Sequence, residues 1–142
     1  MRRTLTIGAV VAVSIAALAA QGKPQTSKGL QMTPTSVEIT DQSSLRDCPP
    51  GTNTVHAMAR AGERMANVTV AFKVLPSFKP GPLKRPAVMS TDGKTYNTSV
   101  QFVDVGSVPE FSCTFAFRVP EGTMLKSMTI EDATLDLSGL SK

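Results

Sequence analysis

The sequence predicts an all-β protein, an antiparallel β-sandwich of about seven strands preceded by a signal peptide. Three observations carry that expectation. Apolar residues recur with period two, the spacing that lines one face of a half-buried strand. Turn-forming Gly, Pro and Asp residues interrupt those runs at short intervals. The chain of 142 residues has length for one core, and beyond residue 20 no stretch offers three turns of clean helical periodicity.

Residues 36–40 place Val37 and Ile39 on one face. Residues 67–75 alternate most clearly, with Val68, Val70, Phe72 and Val74 opposite Thr69, Ala71 and Lys73. Thr91-Asp92-Gly93-Lys94 is a tight-turn signal, read as a two-residue hairpin loop because Asp-Gly tolerates positive φ. Residues 99–105 read as a strand. In 111–119, Phe111, Cys113, Phe115, Phe117 and Val119 share one face, and Pro120-Glu121-Gly122 ends the strand. Residues 124–137 supply one or two more strands, split at Glu131-Asp132, which is read as a solvated turn. Residues 54–65 suit a helix as well as a strand. Four of the six phenylalanines, Phe72, Phe111, Phe115 and Phe117, fall on apolar strand faces, where they are expected to dominate the space between two sheets.

The first twenty residues have the layout of a secretory signal peptide: Arg2 and Arg3, an apolar or small run over 7–20, and the small-x-small end Ala17-Leu18-Ala19. The run is 14 residues, short of the roughly 20 that span a bilayer, so no stable membrane insertion is expected after cleavage at Ala19 or Ala20. Gln21 follows the cleavage region where a lipoprotein needs Cys, which favours a freely soluble product, secreted or periplasmic. Residues 21–34 are polar, rich in Gly, Pro, Ser and Thr, and read as a flexible leader; the sandwich domain is expected over 35–142. In an oxidising compartment Cys48 and Cys113 are expected to pair as a disulfide. Without Arg2 and Arg3 the mature chain carries 13 basic and 11 acidic residues, a net +2, too small a balance to attract nucleic acid.

From Ala61 onward the order of segments resembles a known family. Gly-Glu-Arg-Met-Ala-Asn leads into Val-Thr-Val-Ala-Phe-Lys-Val (68–74), Ser-Thr-Asp-Gly-Lys-Thr-Tyr (90–96) follows, and Phe-Ala-Phe-Arg-Val-Pro-Glu-Gly (115–122) precedes a last strand. This is similar to the telokin-like, immunoglobulin-like domains of bacterial secreted proteins and lipoproteins, a group that includes small mycobacterial secreted antigens. The resemblance spans roughly the last 80 residues and implies an immunoglobulin-like sandwich. It supplies no shared catalytic residues. The Cys48-Pro49-Pro50-Gly51 loop and the proline loop at 76–86 depart from the pattern, and individual function is expected there.

Catalysis finds little to build on. Nucleophilic chemistry needs a base beside Ser or Cys, and His56 is the single histidine; no Gly-x-Ser-x-Gly elbow is present, so no enzyme and no cofactor is expected. One His and two separated Cys fall short of a zinc set. His56 and Met58, one residue apart, would share a strand face and offer an imidazole and a thioether to Cu(I), which makes an exported copper carrier the alternative reading. Residues 76–86 (PSFKPGPLKRP) hold four prolines with Phe78, Lys79, Lys84 and Arg85. Proline lowers the entropy lost on binding, and the cations favour an acidic partner. The expectation is a non-enzymatic module that binds another protein or an envelope component through Phe78, Lys79, Lys84 and Arg85.

Overall fold

The structure is a computed structural model, and it describes residues 21–43, 48–49, 53–54, 57–81, 83–98, 100–102 and 108–141. Ten strands follow one another: β1 (Gln25–Ser27), β2 (Leu30–Thr40), β3 (Asn53–Thr54), β4 (Glu63–Val74), β5 (Ala87–Ser90), β6 (Thr95–Asn97), β7 (Val100–Phe102), β8 (Glu110–Pro120), β9 (Leu125–Ile130) and β10 (Ala133–Asp136). They make two four-stranded antiparallel sheets, in the orders β1-β2-β4-β8 and β10-β9-β5-β6, with β3 and β7 paired as a separate ribbon. The chain is therefore a β-sandwich, and no helix is present among the described residues. With β1 set aside, the two orders are those of immunoglobulin strands A-B-E and G-F-C-C′.

Alternation creates the core. Val68, Val70 and Phe72 of β4 are buried beside Leu30, Met32 and Val37 of β2 and Cys113, Phe115, Phe117 and Val119 of β8. Val88, Met128, Ile130 and Leu135 join the same cluster from the second sheet. Phe72 stacks on Phe111 with centroids 4.7 Å apart and meets Phe115 edge-on at 6.2 Å. Each such ring removes ~150–250 Å² of surface from water and prefers these offset or edge-on geometries.

Two expectations are corrected here. Residues 21–34 are not a leader. Residues 25–27 and 30–34 lie in β1 and β2, with Leu30 and Met32 in the core and the Gly22 amide bonded to the Pro34 carbonyl at 2.9 Å. The local composition is polar, but Leu30 and Met32 alternate with Gln31 and Thr33, and Lys28-Gly29 closes a two-residue hairpin with both φ positive (48° and 79°). Residues 91–94 do not form a two-residue loop either. The Ser90 amide donates to the Lys94 carbonyl at 2.9 Å and Gly93 alone takes the left-handed conformation, at φ 86°. That is a three-residue connection ending in a glycine.

The outward face of β4 and β8 is unusually covered. Met65, Asn67, Thr114 and Ala116 point away from the core yet are buried. The excursion that leaves β2 at Thr40 explains this. Asn67 Nδ2 donates to the Gln42 carbonyl at 3.3 Å, and Arg118 Nη2 donates to the Met58 carbonyl at 3.0 Å. Gln42 and Met58 bridge antiparallel, so the excursion folds back on itself. Cys48 and Cys113 form a disulfide, with Cα atoms 4.1 Å apart, that ties this excursion to β8. No helix among the described residues is long and apolar enough to cross a membrane.

Candidate functional site

Three turns meet at one end of the sandwich: β1–β2 (Lys28, Gly29), the 75–86 connection from β4 to β5, and β9–β10 (Glu131, Asp132). Backbone hydrogen bonds join the first two. The Leu75 amide donates to the Gly29 carbonyl at 2.8 Å, and the Phe78 amide turns back onto the Leu75 carbonyl at 3.0 Å. This lays the backbone of Phe78 directly on Gly29, where a Cβ would overlap the Phe78 nitrogen and Cα. Glycine is thus required twice, by its φ and by this approach. Farther along, Leu83 and Pro86 are buried and return the connection to β5.

Glu131 joins the third turn. Its Oε1 accepts the Lys84 amide at 2.8 Å and its Oε2 receives Lys28 Nζ at 3.2 Å, with the side chain only 8% exposed. Lys28 Nζ also lies 3.6 Å from Asp132 Oδ2. The hydrogen bond to Glu131 and then the charge of Asp132 raise the Lys28 ammonium above its ordinary pKa. Lys28 (φ 48°) and Glu131 (φ 53°) are the two described non-glycine residues at positive φ. Such a conformation costs on the order of 1–3 kcal/mol per residue, and here the two strained residues are each other's partners. The reading of Glu131-Asp132 as a solvated turn is thereby corrected for Glu131: the turn is there, but its first carboxylate is buried and bonded.

Between these turns lies a cleft of about 550 Å³, walled by Lys28, Gly29, Phe78, Lys79, Lys84 and Glu131. That volume falls within the range of ligand sites. Of the four residues singled out from sequence, the structure brings Phe78, Lys79 and Lys84 to this cleft, and leaves Arg85 exposed beside Lys84. Phe78 is half-buried against the core, and Lys79 and Lys84 are exposed. No described acid pairs with the ammonium of Lys79 or Lys84. Sequence reasoning missed Lys28, Gly29 and Glu131. The Lys-Gly pair between Ser27 and Leu30 is a hairpin signal that could have disclosed the first two.

Two smaller hollows lie elsewhere. One, of about 350 Å³, sits on the outward sheet face between Thr33, Lys73 and Ser112. The other, of about 330 Å³, is framed by Asp92, Tyr96, Glu121 and Met124. The alternative copper pair is not brought to a described site: His56 lies outside the described residues, and Met58 is 63% exposed on the excursion. Among the described residues no group of three or more His, Cys, Asp or Glu could hold a metal ion.

No protein-family model matches the chain, and no curated protein matches it. Among solved structures, the chain is similar to an uncharacterized β-sandwich protein from Clostridium difficile 630, at 11% identity and a TM-score of 0.49, over 80% of this chain and 85% of that one.

Proposed function

We propose that this chain is an exported, non-enzymatic binding module that engages an acidic protein or envelope component through its 75–86 connection. The observation that carries the reading is the gathering of Phe78, Lys79 and Lys84 around one cleft whose outer ammonium groups have no acidic partner among the described residues. Loops at the end of a rigid sandwich are where such domains place recognition surfaces. The signal-like start supports export to a secreted or periplasmic address, and the Cys48–Cys113 disulfide suits an oxidising compartment. The resemblance of 61–122 to telokin-like domains of exported bacterial proteins fits the same assignment.

The test is affinity capture from envelope extract on the immobilised mature chain, beside a Lys79→Ala/Lys84→Ala/Arg85→Ala variant. The expected result is a partner retained by the unchanged chain, released as salt rises, and lost with the variant. An identical set of captured proteins from both would refute the reading.

A further inference from the structure

The cleft's walls say more about its occupant than the basic loop alone does. Its rim carries three ammonium groups. Lys28 is already paired with the Glu131 and Asp132 carboxylates, while Lys79 and Lys84 have no acidic partner among the described residues, Glu131 bonding only the Lys84 amide. Its wall is different: the half-buried ring of Phe78 and the bare backbone of Gly29. A space of about 550 Å³ lies within the span of sites that enclose small ligands or short peptide segments. We infer that this cleft binds a short extended acidic peptide segment that carries an apolar side chain, its carboxylates on the unpaired Lys79 and Lys84 of the rim and its apolar group against Phe78. This rests on the reading that the loop end is a binding surface, and adds the chemistry of the occupant.

Charge complementarity selects the acid, and the recessed ring selects a peptide over a membrane. A lipid surface is entered by protruding apolar side chains, whereas Phe78 packs back against the core. Glu131 is the positioning residue. Its carboxylate fixes Lys84 and Lys28 at the cost of a left-handed backbone that glycine would adopt freely. A turn needing only its shape would not hold Glu here.

The role of Glu131 has a sign that separates it from bulk charge. Glu131→Gly removes a negative charge, so attraction by charge alone would strengthen acidic-peptide binding. Loss of the latch frees the Lys84 segment and weakens it.

The test is titration of the isotope-labelled mature chain, followed by NMR, with acetyl-Glu-Glu-Leu-Phe-Glu-Glu-amide and with the same peptide carrying Gly-Gly in place of Leu-Phe. The Leu-Phe peptide is expected to bind about tenfold more tightly, the effect of burying one apolar side chain. Phe78→Ser should abolish that preference, and Glu131→Gly should weaken binding several-fold while thermal unfolding stays cooperative. Equal affinity for both peptides would overturn the inference and leave the basic-loop reading standing. Tighter binding by Glu131→Gly would overturn the latch. Binding to phosphatidylglycerol vesicles and to neither peptide would replace the peptide with a membrane. If neither peptide binds while capture stays sensitive to Lys79, Lys84 and Arg85, the inference fails alone; if capture is insensitive too, both fail.

Discussion

Glu131 and Gly29 show how much a single position can decide. Replacing Glu131 with Gly trades about 1–3 kcal/mol of relieved backbone strain against about 1.5–3 kcal/mol for a charged hydrogen bond lost to the Lys84 amide. The two terms largely offset, so global stability should move by no more than about 2 kcal/mol by urea unfolding, while amide exchange at Lys84 accelerates. Gly29→Ala has no compensation, because its Cβ would meet the Phe78 backbone at φ 79°; it should cost about 2 kcal/mol or more by the same measurement. On the acid side two exposed carboxylates matter. Asp92 is held below the ordinary carboxylate range by the Ser90 hydroxyl, and Asp136 by the Ser138 amide at 2.9 Å. Their pKa values are lower folded than unfolded, so their contribution is complete above about pH 4 and disappears as pH falls through the folded values. Unfolding midpoints measured from pH 5 to pH 2 should fall, and Asp92→Asn with Asp136→Asn should flatten the fall. Of these positions the sequence signalled only turns, the Asp-Gly one with a loop one residue too short and the Lys28-Gly29 hairpin by its Lys-Gly pair. Their contacts depend on which turns come together, and that is set by strand pairing.

At the level of elements the sequence was far more informative. Of residues 67–75 all but Leu75 lie in β4, 111–119 falls inside β8, and 124–137 splits at Glu131-Asp132 into β9 and β10. Long strands with one buried face write their period into the chain. Four-residue β5 has too few residues to show one, and β1 with the start of β2 was hidden by polar composition. Of the ambiguous stretch 54–65, Met58 bridges Gln42 and residues 63–65 begin β4. The strand carrying the core most heavily is β8. Phe115→Ala, at a fully buried ring touching Phe72, should cost about 3–5 kcal/mol by equilibrium denaturation, with cavity and transfer terms both contributing. The outward-pointing Thr114 and Ala116 of the same strand are buried as well, which the alternation of apolar residues does not signal.

For the whole molecule, the disulfide and the loop end divide the work. Cys48–Cys113 closes a loop with a sequence separation of 65, worth about 4 kcal/mol by loop-closure entropy. Reduction should lower urea stability by an amount of that order. The cleft should persist, since its three turns are joined by bonds that do not involve the excursion. Retained peptide binding by the reduced, still folded chain checks that independence. The central claim is that recognition happens at the end formed by β1–β2, 75–86 and β9–β10. The most direct measurement is an NMR map of the labelled chain with its captured partner or the acidic Leu-Phe peptide. Perturbations centred on Lys28, Gly29, Phe78, Lys79, Lys84 and Glu131 are predicted; perturbations centred instead on Asp92, Tyr96, Glu121 and Met124 would contradict it.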